Sequence, residues 1–181
     1  MKTFLFLFVL TALSFKGFSQ DDKHAAKKGD ISIDAEASFP VGDIGAGVKF
    51  GDYFSLGIGG YLQFASYVSD DLALTFHLGF TFISGKSFQG QKVRPTNIFP
   101  ALAGIRHMFS DKFYGAAQLG MSFISSKDLF DNSKVAFTYS LGVGYKINKV
   151  DISLNYTGRS FKVEETSLKL NTLGLHAACI L

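Results

Sequence analysis

Val135-Ala136-Phe137-Thr138-Tyr139-Ser140-Leu141-Gly142-Val143-Gly144-Tyr145-Lys146-Ile147 is the stretch on which the fold turns. Its odd positions are all bulky and apolar, and its even positions are Ala, Thr, Ser, Gly or Lys. Side chains on a strand point alternately to opposite faces, so this period of two predicts a strand with one large apolar face and one small polar face. The segment is longer than the ~5–6 residues of a common globular strand and close to the ~9–11 that cross a bilayer at a tilt.

The same alternation recurs on both sides of it. Ile31, Ile33, Ala35, Ala37 and Phe39 alternate with Ser32, Asp34, Glu36 and Ser38. Leu72, Leu74, Phe76, Leu78, Phe80 and Phe82 alternate with Ala73, Thr75, His77, Gly79 and Thr81, and Val150, Ile152, Leu154 and Tyr156 with Asp151, Ser153, Asn155 and Thr157. Noisier versions occupy 56–68, 98–109, 113–124 and 168–181, which makes eight strands. Tight polar turns are expected at Ser69-Asp70-Asp71, Ser110-Asp111-Lys112 and Asn148-Lys149. Longer loops are expected at 40–55, 84–95, 125–134 and 158–166. Short and long connections alternate, which puts all tight turns and both termini at one end of an antiparallel, up-and-down barrel.

The faces decide between two barrels. A soluble ligand-binding barrel of lipocalin type would show water a polar face dense in charge. Here that face is Gly, Ala, Ser and Thr with isolated charges, and small residues suit the narrow interior of eight strands. The bulky face therefore points outward, and lipid is the medium that accepts it. Tyr67, Phe109, Phe113, Tyr114 and Tyr145 beside the tight turns, and Phe39, Phe80, Phe82, Phe99, Phe123, Phe137 and Tyr156 toward the long loops, are expected to form two interfacial aromatic belts. The expected class is all-β, an eight-stranded antiparallel transmembrane β-barrel over residues 30–181.

Composition agrees. The 181 residues are 47% hydrophobic and 18% charged, with 20 Phe, 7 Tyr, 19 Gly and 3 Pro, which excludes a disordered chain or a charged coiled coil. Met1 to Ser19 reads as a cleaved signal peptide: Lys2 starts it, Phe4 to Phe15 is its apolar run, and Gly17-Phe18-Ser19 precedes cleavage before Gln20. Residues 20–29 form a short polar lead-in. Loss of Lys2 and Lys16 takes the net charge from +3 to +1, which offers nucleic acid no electrostatic attraction. The only cysteine, Cys179, is far from the cleavage point, so lipid attachment there is excluded. It lies on the lipid-facing parity.

Phe39-Pro40-Val41-Gly42-Asp43, Tyr67-Val68-Ser69-Asp70-Asp71-Leu72, Phe109-Ser110-Asp111-Lys112-Phe113 and Leu141-Gly142-Val143-Gly144-Tyr145 carry a family likeness. On these segments nearly the whole mature chain resembles the small outer-membrane β-barrel family of Gram-negative bacteria. The resemblance implies an outer-membrane location, termini in the periplasm, long loops outside, and lipid and lipopolysaccharide as surroundings. Other outer-membrane proteins are possible partners, the chain then acting as an accessory subunit. Such barrels usually end in an aromatic residue, whereas this sequence ends Cys179-Ile180-Leu181.

Charge placement supplies the candidate sites. Asp34, Glu36, His77, Arg106, Gln118, Lys146, Asp151 and Asn155 are expected to point into the lumen as a mutually paired structural network, since both signs are present and a buried charge needs a partner. An acid/base or metal site at Asp34 and Glu36 is the competing reading. Lys86, Lys92, Arg94, Lys127, Arg159 and Lys162 are expected in the long loops, where they would meet lipopolysaccharide phosphates. Some small outer-membrane barrels are similar to lipid A deacylases, which use a Ser/His/acid site. Here His176 has no neighbouring Ser or acid and His107 lies near a tight turn beside Met108, so neither makes a triad and no enzyme is expected. Gly85-Lys86-Ser87 lacks the preceding Gly and following helix of a phosphate loop, and the sequon Asn155-Tyr156-Thr157 falls in mid-strand. No cofactor and no metal is expected. The functional expectation is a structural or binding protein with a filled lumen, set against a small pore or transporter and against the soluble barrel.

Overall fold

The computed structural model describes residues 29–45, 48–88, 91–126, 133–163 and 166–181; the expected signal peptide lies outside them. Eight long strands, β1 (Asp30–Val41), β4 (Phe54–Tyr67), β5 (Leu72–Gly85), β8 (Thr96–Met108), β9 (Phe113–Ser125), β10 (Lys134–Ile147), β11 (Val150–Val163) and β12 (Thr166–Ile180), form the wall. Two short hairpins, β2 (Asp43–Gly45) with β3 (Val48–Lys49) and β6 (Ser87–Phe88) with β7 (Gln91–Lys92), sit in the first two long connections. The first also carries a single-turn helix, α1 (Phe50–Tyr53).

The wall is a closed barrel in the order β1-β12-β11-β10-β9-β8-β5-β4, with antiparallel neighbours throughout. Closure comes from β1, which pairs Glu36 with Gly59 of β4 on one side and with His176 of β12 on the other. No edge is left unpaired, as a strand structure in a bilayer requires. The tight turns close as the residue types predict. The Ser69 hydroxyl donates to Asp71 Oδ1 at 2.6 Å and accepts the Leu72 amide at 3.2 Å. Ser110 Oγ accepts the Phe113 amide at 3.1 Å. Asn148 takes the left-handed conformation at φ 53°, which Asn tolerates better than most residues.

Outward positions are bulky and uncovered: Ile33, Phe39, Ile58, Leu119, Met121 and Phe137 are all more than half exposed. The outer surface is apolar, and the interior is narrow and mostly polar. Tyr67 and Tyr114 depart from the expected belts. Both turn into the lumen, where their hydroxyls reach carboxylates.

Two further features were not expected. First, β11 and β12 stay paired from Val150↔Cys179 up to Val163↔Thr166, so residues 158–163 are strand where a long loop was anticipated. Second, the strands reverse their polarity toward the long-loop end. Outward positions there are Ser84, Asn97, Ser125, Ser160, Lys162 and Lys169, whereas Ile83, Ile98, Ile124, Phe161 and Leu170 point inward. They pack with Phe54 and with Ile44 and Phe50 of the first connection into one buried apolar cluster. The reason is length. Strands of 12 to 15 residues exceed the bilayer, and the part that stands in water follows the ordinary rule of apolar inside and polar outside.

Candidate functional site in the barrel lumen

Below that cluster the lumen holds a column of polar side chains, one layer above another from the tight-turn end. In the first layer Lys146 of β10 meets Asp30 of β1 at 2.5 Å, and Tyr67 of β4 donates to the same carboxylate oxygen at 3.0 Å. In the second, Arg106 of β8 pairs with Asp151 of β11 at 3.2 Å. Tyr114 of β9 donates to the other oxygen of Asp151 at 2.6 Å, while the Arg106 guanidinium lies 4.2 Å above the Tyr114 ring. Charge-assisted bonds of this kind are the stronger members of their class, and the ring face adds a cation–π contact to the guanidinium.

The third layer is buried as well. Asp34 and Glu36 project from β1, His77 from β5 and His176 from β12, all four less than a tenth exposed. His77 Nε2 stands 3.5 Å from Asp34 Oδ2, and His176 Nε2 stands 3.7 Å from Glu36 Oε1. The Tyr61 ring packs beside both imidazoles, 4.5 Å from His77 and 5.5 Å from His176, and the two imidazoles lie 6.0 Å apart. Its hydroxyl is bonded to Glu36 and to Thr81, and Thr81 donates to Glu36 at 3.0 Å. Glycine makes the space: a Cβ on Gly59 or on Gly174 would fall 2.9 and 2.7 Å from the Glu36 oxygens. Above this, Arg159 donates to Thr172 at 3.1 Å, and hydroxyls meet in pairs, Thr138 with Ser122 at 2.7 Å and Ser140 with Thr157 at 3.1 Å.

All eight residues expected in the lumen face it. Six are buried, Gln118 donating to Thr75 at 3.2 Å. Lys146 and Asn155 are half-buried, the latter donating to Ser153 at 3.3 Å. Sequence reasoning missed Asp30, Tyr61, Tyr114, Arg159 and His176 as members. For His176 the signal was present: it has the inward parity opposite Leu173 and Leu175, and barrel closure places β12 against β1, directly across from Glu36. The expectation that it has no acid beside it is corrected on that ground.

The loop set fares unevenly. Arg159 is no loop residue; it is buried in the lumen on β11. Lys86, Arg94 and Lys162 are exposed, but the Lys86 ammonium is engaged by the Gly51 carbonyl at 2.6 Å, tying the first two long connections together. Lys92 lies on β7 with its side chain outside the described residues, as is Lys127 altogether. At the tight-turn end His107 stands 3.8 Å from Asp71, which also holds Ser69. The order is wrong for a hydrolase, because the acid sits between the Ser and the His.

The model of the outer membrane protein beta-barrel domain family matches residues 7–180. No curated protein matches the chain by sequence. Among solved structures, the Yersinia pestis outer membrane protein Ail in a phospholipid bilayer nanodisc is similar at 16% identity and a TM-score of 0.54, over 85% of this chain and all of Ail. The crystal structure of Ail from the same organism is similar at 18% identity and a TM-score of 0.53, over 84% of this chain and 97% of that one. Neisserial surface protein A is similar at 14% identity and a TM-score of 0.52, over 86% of this chain and 99% of that one. At these identities the likeness is one of fold.

Proposed function

Because the chain belongs to the outer membrane protein beta-barrel domain family, and is thus an integral barrel of the Gram-negative outer membrane, we propose that it is a non-conducting, non-catalytic barrel that works through its long-loop end. The observation that carries this reading is the filled lumen. An apolar cluster occupies one end and ion-paired layers the other, so a solute would have to displace packed side chains rather than water.

The two ends differ in charge. Among the described residues the long-loop end exposes Lys49, Lys86, Arg94, Lys162 and Lys169 against Asp43 and Asp52, and the tight-turn end exposes Asp70, Asp71 and Asp111 against Lys112 and Lys149. A cationic end suits the phosphate-bearing lipopolysaccharide of the outer leaflet, which favours long loops outside and turns in the periplasm. Loops on a rigid scaffold are also where binding residues concentrate.

Planar-bilayer recording of the purified barrel tests the first half: no steady unitary steps are expected, and reproducible single-channel steps would replace this reading with the pore. Binding to vesicles with and without lipopolysaccharide tests the second. Salt-sensitive retention that weakens when Lys162 and Lys169 are changed to Gln is expected, and equal retention by both variants and both vesicle types would remove the loop-end reading.

A further inference from the structure

We infer that Asp34, His77 and His176 form a binding site for a transition-metal dication of the zinc class inside the barrel. One ligand atom from each of the three falls within 4.8 Å of the other two. A point among atoms so spaced lies roughly 2–3 Å from each, against ~2.0–2.2 Å for zinc bound to histidine nitrogen or carboxylate oxygen, so small side-chain rotations close the set. Two imidazoles and one carboxylate are the donor set of open zinc and non-haem iron sites; hard cations such as magnesium and calcium take oxygen ligands alone.

A second observation points the same way. Asp34 Oδ1, His77 Nε2 and His176 Nδ1 are buried and have no hydrogen-bond partner, on residues 5%, 6% and 5% exposed. Buried polar atoms are nearly always partnered; of the six unpartnered ones among the described residues, the other three being Ser38 Oγ, Arg106 Nε and Arg159 Nε, half belong to the three clustered residues. Charge agrees. Asp30 has Lys146, Asp151 has Arg106 and Glu36 lies in the field of Arg159, but the ion-pair partner of Asp34 is the His77 imidazole. Glu36 completes the design. Its Oε1 faces His176 Nε2 at 3.7 Å, where a small closure would let it accept that N–H and leave Nδ1 as the ligand atom, the carboxylate–histidine–metal arrangement that fixes a ligand's tautomer. A metal so held joins β1, β5 and β12 across the seam where the first and last strands close the barrel.

The test uses the protein extracted from outer membranes in mild detergent, stripped with chelator, and titrated with Co2+ as a visible probe and Zn2+ as competitor. The expected result is one equivalent of Co2+ with a d–d absorption band of low-symmetry coordination, displaced by Zn2+, and a higher midpoint of thermal unfolding when loaded. His77→Gln and His176→Gln, checked for folding by heat-modifiable electrophoretic mobility, weaken binding by more than tenfold, and Glu36→Gln by about 10–100-fold. Should a variant fail to fold, histidine-ring NMR of the unaltered chain decides: Zn2+ shifts the His77 and His176 resonances and leaves His107 in place. Absence of a band, a band that survives the double substitution, or two imidazole rings indifferent to Zn2+ overturns the site.

Discussion

Tyr114 of β9 and Gly144 of β10 are cross-strand partners, and the tyrosine ring lies flat over the glycine, so that a Cβ on Gly144 would sit 2.2 Å from Tyr114 Cζ. The pairing is repeated. Tyr61 covers its partner Gly79, and Tyr139 covers its partner Gly158 on the outer face. In each case the missing side chain lets an aromatic ring lie along the wall, which for Tyr61 and Tyr114 keeps it from standing across the lumen. For Tyr114 that posture delivers the hydroxyl to Asp151 and the ring face to Arg106.

Gly144→Ala is therefore expected to destabilise the barrel by about 1–3 kcal/mol, the usual range for overpacking a filled interior. Equilibrium unfolding in urea from phospholipid vesicles measures it. In a Tyr114→Ala background the same substitution should cost little, since the atom it collides with is gone. Equal costs in both backgrounds would mean that the ring does not rest on the glycine.

The Arg106–Asp151 pair at 3.2 Å sets a sharper contrast. Arg106→Met leaves the Asp151 carboxylate buried without its cation and should cost about 3–5 kcal/mol. Tyr114→Phe removes one of two partners and should cost about 1–2 kcal/mol. Pairing Arg106→Met with Asp151→Asn should recover most of the first loss, because the uncompensated charge disappears. A double-mutant cycle with no coupling would show that the two groups do not meet in the folded barrel.

In the first tight turn the Ser69 hydroxyl, then the backbone amide of Asp71, and lastly the charge of His107 hold the Asp71 carboxyl below its ordinary value. A carboxylate whose folded pKa is depressed adds stability that is complete above the ordinary carboxylate range and is lost as pH falls through the lowered value. Ser69→Ala should move the Asp71 titration upward, and His107→Gln should move it less. Side-chain carboxyl NMR in micelles follows both. A Ser69→Ala titration that coincides with the unaltered protein would detach the shift from the hydroxyl.

How far the sequence announces all this depends on what the signal rests on. Alternation is a local property, so β5, β10 and the lower half of β11 are legible from period two alone. The face assigned to Asp34, Glu36 and His77 follows from it directly. What was hidden depends on a change of surroundings along one strand. Phe80 and Phe82 face out while Ile83 faces in, because the first two stand at the lipid level and the third above it. A rule with one medium in mind stops the strand at Phe82. The same reversal turned Gly158-Arg159-Ser160 into an apparent loop. His176 was obscured differently: its acid lies on β1, and only ring closure brings the ends of the chain together.

The apolar cluster of the long-loop end rests partly on a residue from outside the wall. Phe50 of α1 is fully buried, edge-on to Phe54 at a ring separation of 5.2 Å. Phe50→Ala should cost about 3–5 kcal/mol, as deletion of a large buried ring does. Unitary conductance should still be absent, because the ion-paired layers below do not depend on Phe50. Thermal unfolding and bilayer recording on one preparation separate the two effects. Channel steps appearing in this variant would assign closure of the lumen to the first connection alone.

Cys179 gives access to the outer face without engineering, being the sole cysteine of the sequence. It faces outward on β12, between Ile33 of β1 and Val150 of β11, which are 52% and 49% exposed. A nitroxide attached there in a reconstituted bilayer should relax more with oxygen, which partitions into hydrocarbon, than with a water-soluble nickel chelate. Moving the label one residue, in Ala178→Cys combined with Cys179→Ser, turns it into the lumen, because a shift of one position on a strand reverses the face. There it should be immobilised and poorly reached by both reagents. If the two sites gave the same collision ratio, the wall would not separate lipid from a packed interior at this level, and the outward assignment of the apolar face would fail with it.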